Sequence, residues 1–257
     1  MHARRITGAA VIAAVVLMAV LAPVIAPHDP IRTGVVFLGP PSGDYLLGTD
    51  ELGRDILSRV MHGARTSLVI GIGAAVVATL IGVPVGLVAG YFRGKVDLFI
   101  VQLIDLFIAL PGLVLALILT AMVGSTIENL VLVLGFVMWP TMARLVRGQV
   151  LQIREQVYVE AARALGGRDG WIMAEHIWPN TQRVVAAQFA ITVSFAIFTS
   201  ASLSFLGLGV PPPTPDWGGM VREGFQFLSL RPLMSIAPGG AVAVTILGFY
   251  LVGSSID

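Results

Sequence analysis

Cysteine is absent from the 257 residues, and lysine occurs once, as Lys95. The first absence excludes disulfides and thiolate metal sites. The four histidines, His2, His28, His62 and His176, are too scattered to supply a paired-imidazole zinc site. Charge is scarce as well: Asp, Glu, Lys and Arg make up 12% of the chain, about half the share in soluble domains, against 56% hydrophobic residues. So few polar side chains cannot cover a globule of this size, which excludes a soluble enzyme. Net charge is +1, and no basic tract marks a nucleic-acid partner.

What is present is long apolar runs, expected to cross a bilayer as helices because only internally hydrogen-bonded backbone survives there. Six are expected, at residues 6–26, 66–92, 98–123, 129–143, 184–210 and 233–256. The fourth is short and must extend through Arg144, whose long side chain can snorkel. An even number puts both termini on one side. With the N-terminus inside, Arg4, Arg5, Arg93, Lys95, Arg144, Arg147, Arg154, Arg163, Arg168 and Arg183 are inside, against Arg32, Arg54, Arg59, Arg65, Arg222 and Arg231 outside. The first run reads as an anchor and not a signal peptide: it is too long, and Pro27 stands where cleavage would fall.

The external loop 27–65 begins as turn chemistry rich in Pro and Gly. From Thr49, read as an N-cap with Asp50 and Glu51 in the first turn, Ile56, Leu57, Val60 and Met61 recur at helical spacing. Arg54, Asp55 and Arg59 take the other face. This is either an interfacial amphipathic helix or a plain connector. In the second run Gly82, Gly86 and Gly90 form a stripe on which another helix can pack closely. A second external loop, 211–232, carries Trp217, Arg222, Glu223, Phe225 and Phe227, either as protein contacts or as interface anchors.

The cytoplasmic loop 144–183 has helical pattern without a run apolar enough to span. Val150, Ile153, Val157, Ala161, Ala164 and Leu165 repeat at three and four, and Gly166 with Gly167 supplies a left-handed stop. Asp169 then caps a second short helix, expected to stop before Pro179. Pattern alone leaves two readings: a packing hairpin, or a knob in which Ala161 and Ala162 enter a groove while Glu160 and Arg163 orient it. On the knob reading, Ala162→Arg or Gly166→Val leaves insertion intact and stops docking.

The run Glu160-Ala161-Ala162, then Gly166, then His176-Ile177-Trp178-Pro179-Asn180 resembles the EAA loop of ABC importer permeases. Two further stretches, Gly48 to Asp55 with Ser58-Arg59 and Gly63-Ala64-Arg65, and Leu203-Ser204-Phe205-Leu206-Gly207-Leu208-Gly209 with Pro212-Pro213 and Trp217-Gly218, narrow it. Together they resemble the C-type subunit of the dipeptide/oligopeptide/nickel permease family, over nearly the whole chain. The resemblance implies an all-α integral membrane fold, a single domain over 1–257 with six transmembrane helices of the type I importer kind and a cytoplasmic coupling loop. It implies that Glu160, Ala161, Ala162, Arg163, Gly166 and Pro179 couple to ATPase subunits. It also implies a homologous B-type permease, two ATPases that hold ATP and Mg, and an external substrate-binding protein, in a bacterial inner membrane with both termini cytoplasmic. Substrates would be dipeptides, oligopeptides or nickel complexes. Two departures stand out: Trp178 where the family has Leu before its Pro, and Ser200 where it often has an acid. Relatives also continue with a charged tail where this sequence stops at Asp257.

No phosphate loop is present, since Lys95 lacks the glycine spacing and the following hydroxyl, so this chain binds no cofactor of its own and ATP is hydrolysed elsewhere. Asp105 is the one acid inside an expected run, in the inner half of the bilayer, where burial costs roughly 2.5 to 3.5 kcal/mol. It is either a polar group facing the bundle and bonded to a neighbouring helix, or the relay of a proton-coupled secondary transporter. No second ionisable group within the runs supports a relay. A hydrolase is disfavoured because no serine occupies a G-x-S-x-G elbow.

Overall fold

The computed structural model describes residues 2–255, and the described elements are helices. They are α1 (His2–Ile25), α2 (Ile56–Phe92), α3 (Gly94–Ala109), α4 (Gly112–Val123), α5 (Ile127–Ile153), α6 (Val157–Ala164) and α7 (Asp169–Ile172). A π-helical turn, Met173–Ile177, leads on to α8 (Trp178–Phe205), followed by α9 (Trp217–Phe225) and α10 (Leu233–Gly253). The expected sixth run reaches 256, which lies outside the described residues.

α2 is a single helix of 37 residues. The separate helix expected from Thr49 does not form, because the Thr49 hydroxyl is spent in the loop: it donates to the Val36 carbonyl at 2.6 Å and accepts from the Gly39 N–H at 2.8 Å. The cap is Asp55, whose Oδ2 accepts from the Ser58 N–H at 2.9 Å. Arg54, Asp55 and Arg59 do not face outward either, and are 2–3% exposed.

α2 and α5 run parallel. Added methyls at Gly73, Gly82, Gly86 and Gly90 of α2 would meet Val131, Met142, Val146 and Val150 of α5, so both numbers rise together. At Gly86 the clash would be with the Ala143 carbonyl at 2.6 Å, which explains why only glycine lets these backbones approach. Parallel neighbours need a connection that returns across the bundle, and α3 with α4 supplies it. The expected third run is therefore a crossing, but a broken one, bent by 85° at Leu110 and Pro111. Proline removes a helix donor and disfavours helical backbone at the residue before it. With five other helices long and apolar enough to cross a membrane, the bent pair makes six crossings.

The fourth run extends as α5 through Arg144 to Ile153. α8 returns antiparallel to α2, with Gly71 against Ile197, and α10 antiparallel to α8, with Gly253 against Ile191. α1 lies along α10, Gly8 against Gly248. The start of α1 and the end of α10 thus lie at the same end of the bundle as α6. At the other end Trp217, fully buried, donates its indole N–H to the Val60 carbonyl at 2.9 Å and anchors α9 on α2.

Pro179 does not end the second short helix. Helix continues from Asp169 through the π turn into α8, with proline in the first turn of α8. The wider π turn accommodates the missing donor, and the Asn180 side-chain amide donates to the His176 carbonyl at 2.7 Å.

Candidate functional site

The loop 154–168 folds as a short amphipathic helix held against one end of the bundle. Val159 and Ala162 of α6 turn inward onto Val150, Ile153, Ile172 and Ile177. Val157 and Leu165 are 80% and 89% exposed, and Val157, Glu160, Ala161, Arg163 and Ala164 border an open shallow depression. Ala161 is therefore outward and Ala162 is not. The two alanines expected to enter a groove together are separated by the 100° step of the helix, and an arginine at 162 would strike the bundle's own core. Pro179 is exposed. Gly166 ends the helix at φ +84°, its N–H bonded to Arg163 O and that of Gly167 to Ala162 O, each at 3.0 Å.

Asp169 does not cap the next helix. Its Oδ1 accepts from the Tyr91 hydroxyl at 2.6 Å, and Tyr91 stands at the end of α2. The Tyr91 ring has the guanidinium carbons of Arg163 and Arg154 at 5.8 and 6.0 Å from its centroid. Arg154 also donates to the carbonyl of Tyr91, and Arg93 pairs with Glu155. Tyr91 and Arg154 thus bind the exposed helix to the ends of α2 and α5. Sequence reading passed over both, because the bond from Tyr91 to Asp169 spans 78 positions.

Asp105 does not face the bundle interior. Its side chain is 59% exposed on α3 and pairs with Arg144 of α5, itself 50% exposed. Closer to the α6 end, Arg147 and Asp97 join the same two helices at 2.7 Å. The acid is thus paired with a cation on a neighbouring helix, as a polar group bonded to a neighbour and not as a group facing the interior.

At the opposite end, buried Arg54 and Arg59 gather three carboxylates. Arg54 Nε donates to Asp50 Oδ2 at 2.6 Å, and Arg54 and Arg59 donate to Glu223 Oε2 at 3.3 and 3.0 Å. Arg54 also reaches Glu51 Oε1 at 3.3 Å. Burial raises the Glu51 carboxyl above its usual range, and Asp50 and Glu223 push the same way. Ser200 is buried in α8, with its hydroxyl unpartnered.

Apolar helices enough for six crossings define an integral membrane bundle, with a short amphipathic helix presented at one end. Residues 82–257 match the family of binding-protein-dependent transport system inner membrane components, and the chain belongs to that family. It is 38% identical to the oligopeptide transport system permease protein OppC of Bacillus subtilis, covering 97% of this chain and 82% of that one. Identity is 40% to the glutathione transport system permease protein GsiD of Pectobacterium atrosepticum, over 84% and 72%. It is 34% to the dipeptide transport system permease protein DppC of Alkalihalophilus pseudofirmus, over 98% and 83%. Among solved structures, a chain of the inward-facing MetNI methionine ABC transporter superposes with a TM-score of 0.60 at 17% identity, covering 79% of this chain and 98% of that one. The chain is an ABC importer permease subunit of the inner membrane, working in a complex, and the proton-coupled alternative is not favoured.

Proposed function

We propose that this chain forms half of the path by which an ATP-driven importer takes up short peptides, and that α6 receives the stroke of a separate ATPase. The observation that carries the coupling reading is the α6 surface. Val157, Ala161 and Leu165 are bare, while Val159 and Ala162 lock the helix to the bundle. A partner that moves α6 therefore moves α2 and α8 through Tyr91, Arg154 and Asp169. The peptide reading is supported by relatives named for oligopeptide, dipeptide and glutathione transport. On this reading α6 and both termini are cytoplasmic, and the complex adds a homologous permease, two ATPases carrying ATP and Mg, and an external binding protein. The absence of cysteine allows a direct test. Ala161→Cys, co-expressed with an ATPase carrying one cysteine in its membrane-facing groove, should crosslink through a short bismaleimide, and ATP should change the yield. A crosslink that never forms, with active complex present, removes α6 as the coupling element.

A further inference from the structure

At the end opposite α6 a cavity of about 430 Å³ opens between the 26–55 loop, the turn before α5, the segment after α8 and α9. Ser125, Ser204, Gln226, Glu51 and Arg222 lie in its wall. Pockets of this size, with a few convergent polar groups, suit small ligands.

Its charge is unevenly spent. Asp50 and Glu223 accept from Arg54 and Arg59, and Glu51 gives only Oε1 to Arg54. Glu51 Oε2 is buried without a hydrogen-bond partner. Three carboxylates against two guanidiniums leave one negative charge in excess, and Glu51, 28% exposed in the cavity wall and held by one contact at 3.3 Å, is the most lightly held of the three. Arg222 enters the wall from α9 beside Gly207, where an added methyl would meet its Nη1 at 3.0 Å. No carboxylate pairs with Arg222 among the described residues. One cavity therefore holds an anion and a cation with free valence.

A divalent ion is the obvious rival, since oxygens of Asp50, Glu51 and Glu223 lie within 4.8 Å of one another. All three of those groups already accept from guanidinium, which leaves fewer oxygens than a calcium or magnesium shell needs. A zwitterion answers both charges. We propose that this cavity receives a short peptide on entry, with the Glu51 carboxylate accepting from its α-ammonium and Arg222 donating to its α-carboxylate, while Gln226 meets the amides between them. Such charge-assisted bonds are the strong ones, and the planar guanidinium suits a carboxylate. The inference rests on the peptide reading above.

The test uses the whole transporter in proteoliposomes, with cysteine-free partner subunits and Val210→Cys, in the cavity wall, as the single thiol. The rate of labelling by a membrane-impermeant maleimide from the outer side is measured with tri-alanine, N-acetyl-tri-alanine or tri-alanine amide. Tri-alanine should slow labelling about tenfold, and each blocked peptide should lose most of that protection, as expected for removal of one charge-assisted bond. Glu51→Gln should abolish the discrimination against the acetylated form, and Arg222→Gln that against the amide. The peptide comparison needs neither variant, so it stands if one fails to fold. Equal protection by all three, or by none, in a complex that accumulates tri-alanine overturns the site. So does protection by the empty binding protein alone, which makes the surface a protein contact, or by calcium alone. A wild-type complex that takes up no tri-alanine overturns the peptide reading and this site with it.

Discussion

Asp216 is 4% exposed and caps α9 by accepting the Gly219 N–H at 2.9 Å. Burial raises its carboxyl above the usual range, more than its hydrogen bonds lower it. The folded state then holds the proton more tightly than the unfolded chain, so stability is greatest in acid and declines as pH rises from the usual carboxylate range through the raised one. Asn caps as well as Asp and carries no charge. Asp216→Asn should therefore flatten this decline and survive heating better at neutral pH, read as the folded fraction by gel filtration after heating in detergent. Parallel pH profiles for the two proteins refute the assignment. Ala161 and Ala162 make a second residue-level contrast. Sequence marks both through the Glu160-Ala161-Ala162 run but does not say which faces out, since that depends on Val150, Ile172 and Ile177 coming together from three elements. Ala162→Arg should cost roughly 1 to 3 kcal/mol or more through overpacking and lower the yield of folded protein. Ala161→Arg should fold normally, assemble poorly with the ATPase and stop uptake. Equal yields of the two variants contradict the inward placement of Ala162.

At the scale of elements, the existence of the long apolar helices was legible, as were the Gly166 stop and the glycine stripe of α2. The start of α2 and the end of α5, however, each lie about ten residues beyond the expected run, and the pattern from Val150 to Leu165 is divided between α5 and α6. What each element packs on was not. The stripe says only that some backbone comes close, and that α5 runs parallel to it follows from contacts some sixty positions apart. The N-terminal boundary of α2 was misplaced for a similar reason: Thr49 and Asp55 are both good caps, and the choice depended on Val36 and Gly39 claiming the threonine. The Tyr91 bond to Asp169 is likewise invisible locally, yet it fastens the α6 unit to α2. Tyr91→Phe keeps the ring over which Arg163 and Arg154 lie and removes only the hydroxyl. Assembly and ATP hydrolysis should persist, while the peptide imported per ATP falls several-fold because the stroke is transmitted through a looser joint. An unchanged ratio would make Tyr91 a packing residue only.

At the scale of the molecule, composition alone gave a membrane bundle, and the count of six depended on how the third run behaves. Pro111 signals a break, but a proline cannot say whether the chain turns back or goes on. The parallel pairing of α2 with α5 decides it: α5 must begin where α2 begins, so α3 and α4 together traverse the bundle despite their 85° bend. Consistently, Ser125, in the turn before α5, shares a cavity wall with Glu51 and Arg222 at the end opposite α6. A re-entrant hairpin would instead return Ser125 to the α6 end. Single cysteines separate the two cases. In intact cells, Ser125→Cys should react with an impermeant maleimide added outside, and Ala161→Cys should react only after the membrane is opened. Protection of Ser125→Cys together with labelling of Ala161→Cys in intact cells would turn the bent pair into a hairpin. It would also put α5 antiparallel to α2, contrary to the close approach at Gly82, Gly86 and Gly90.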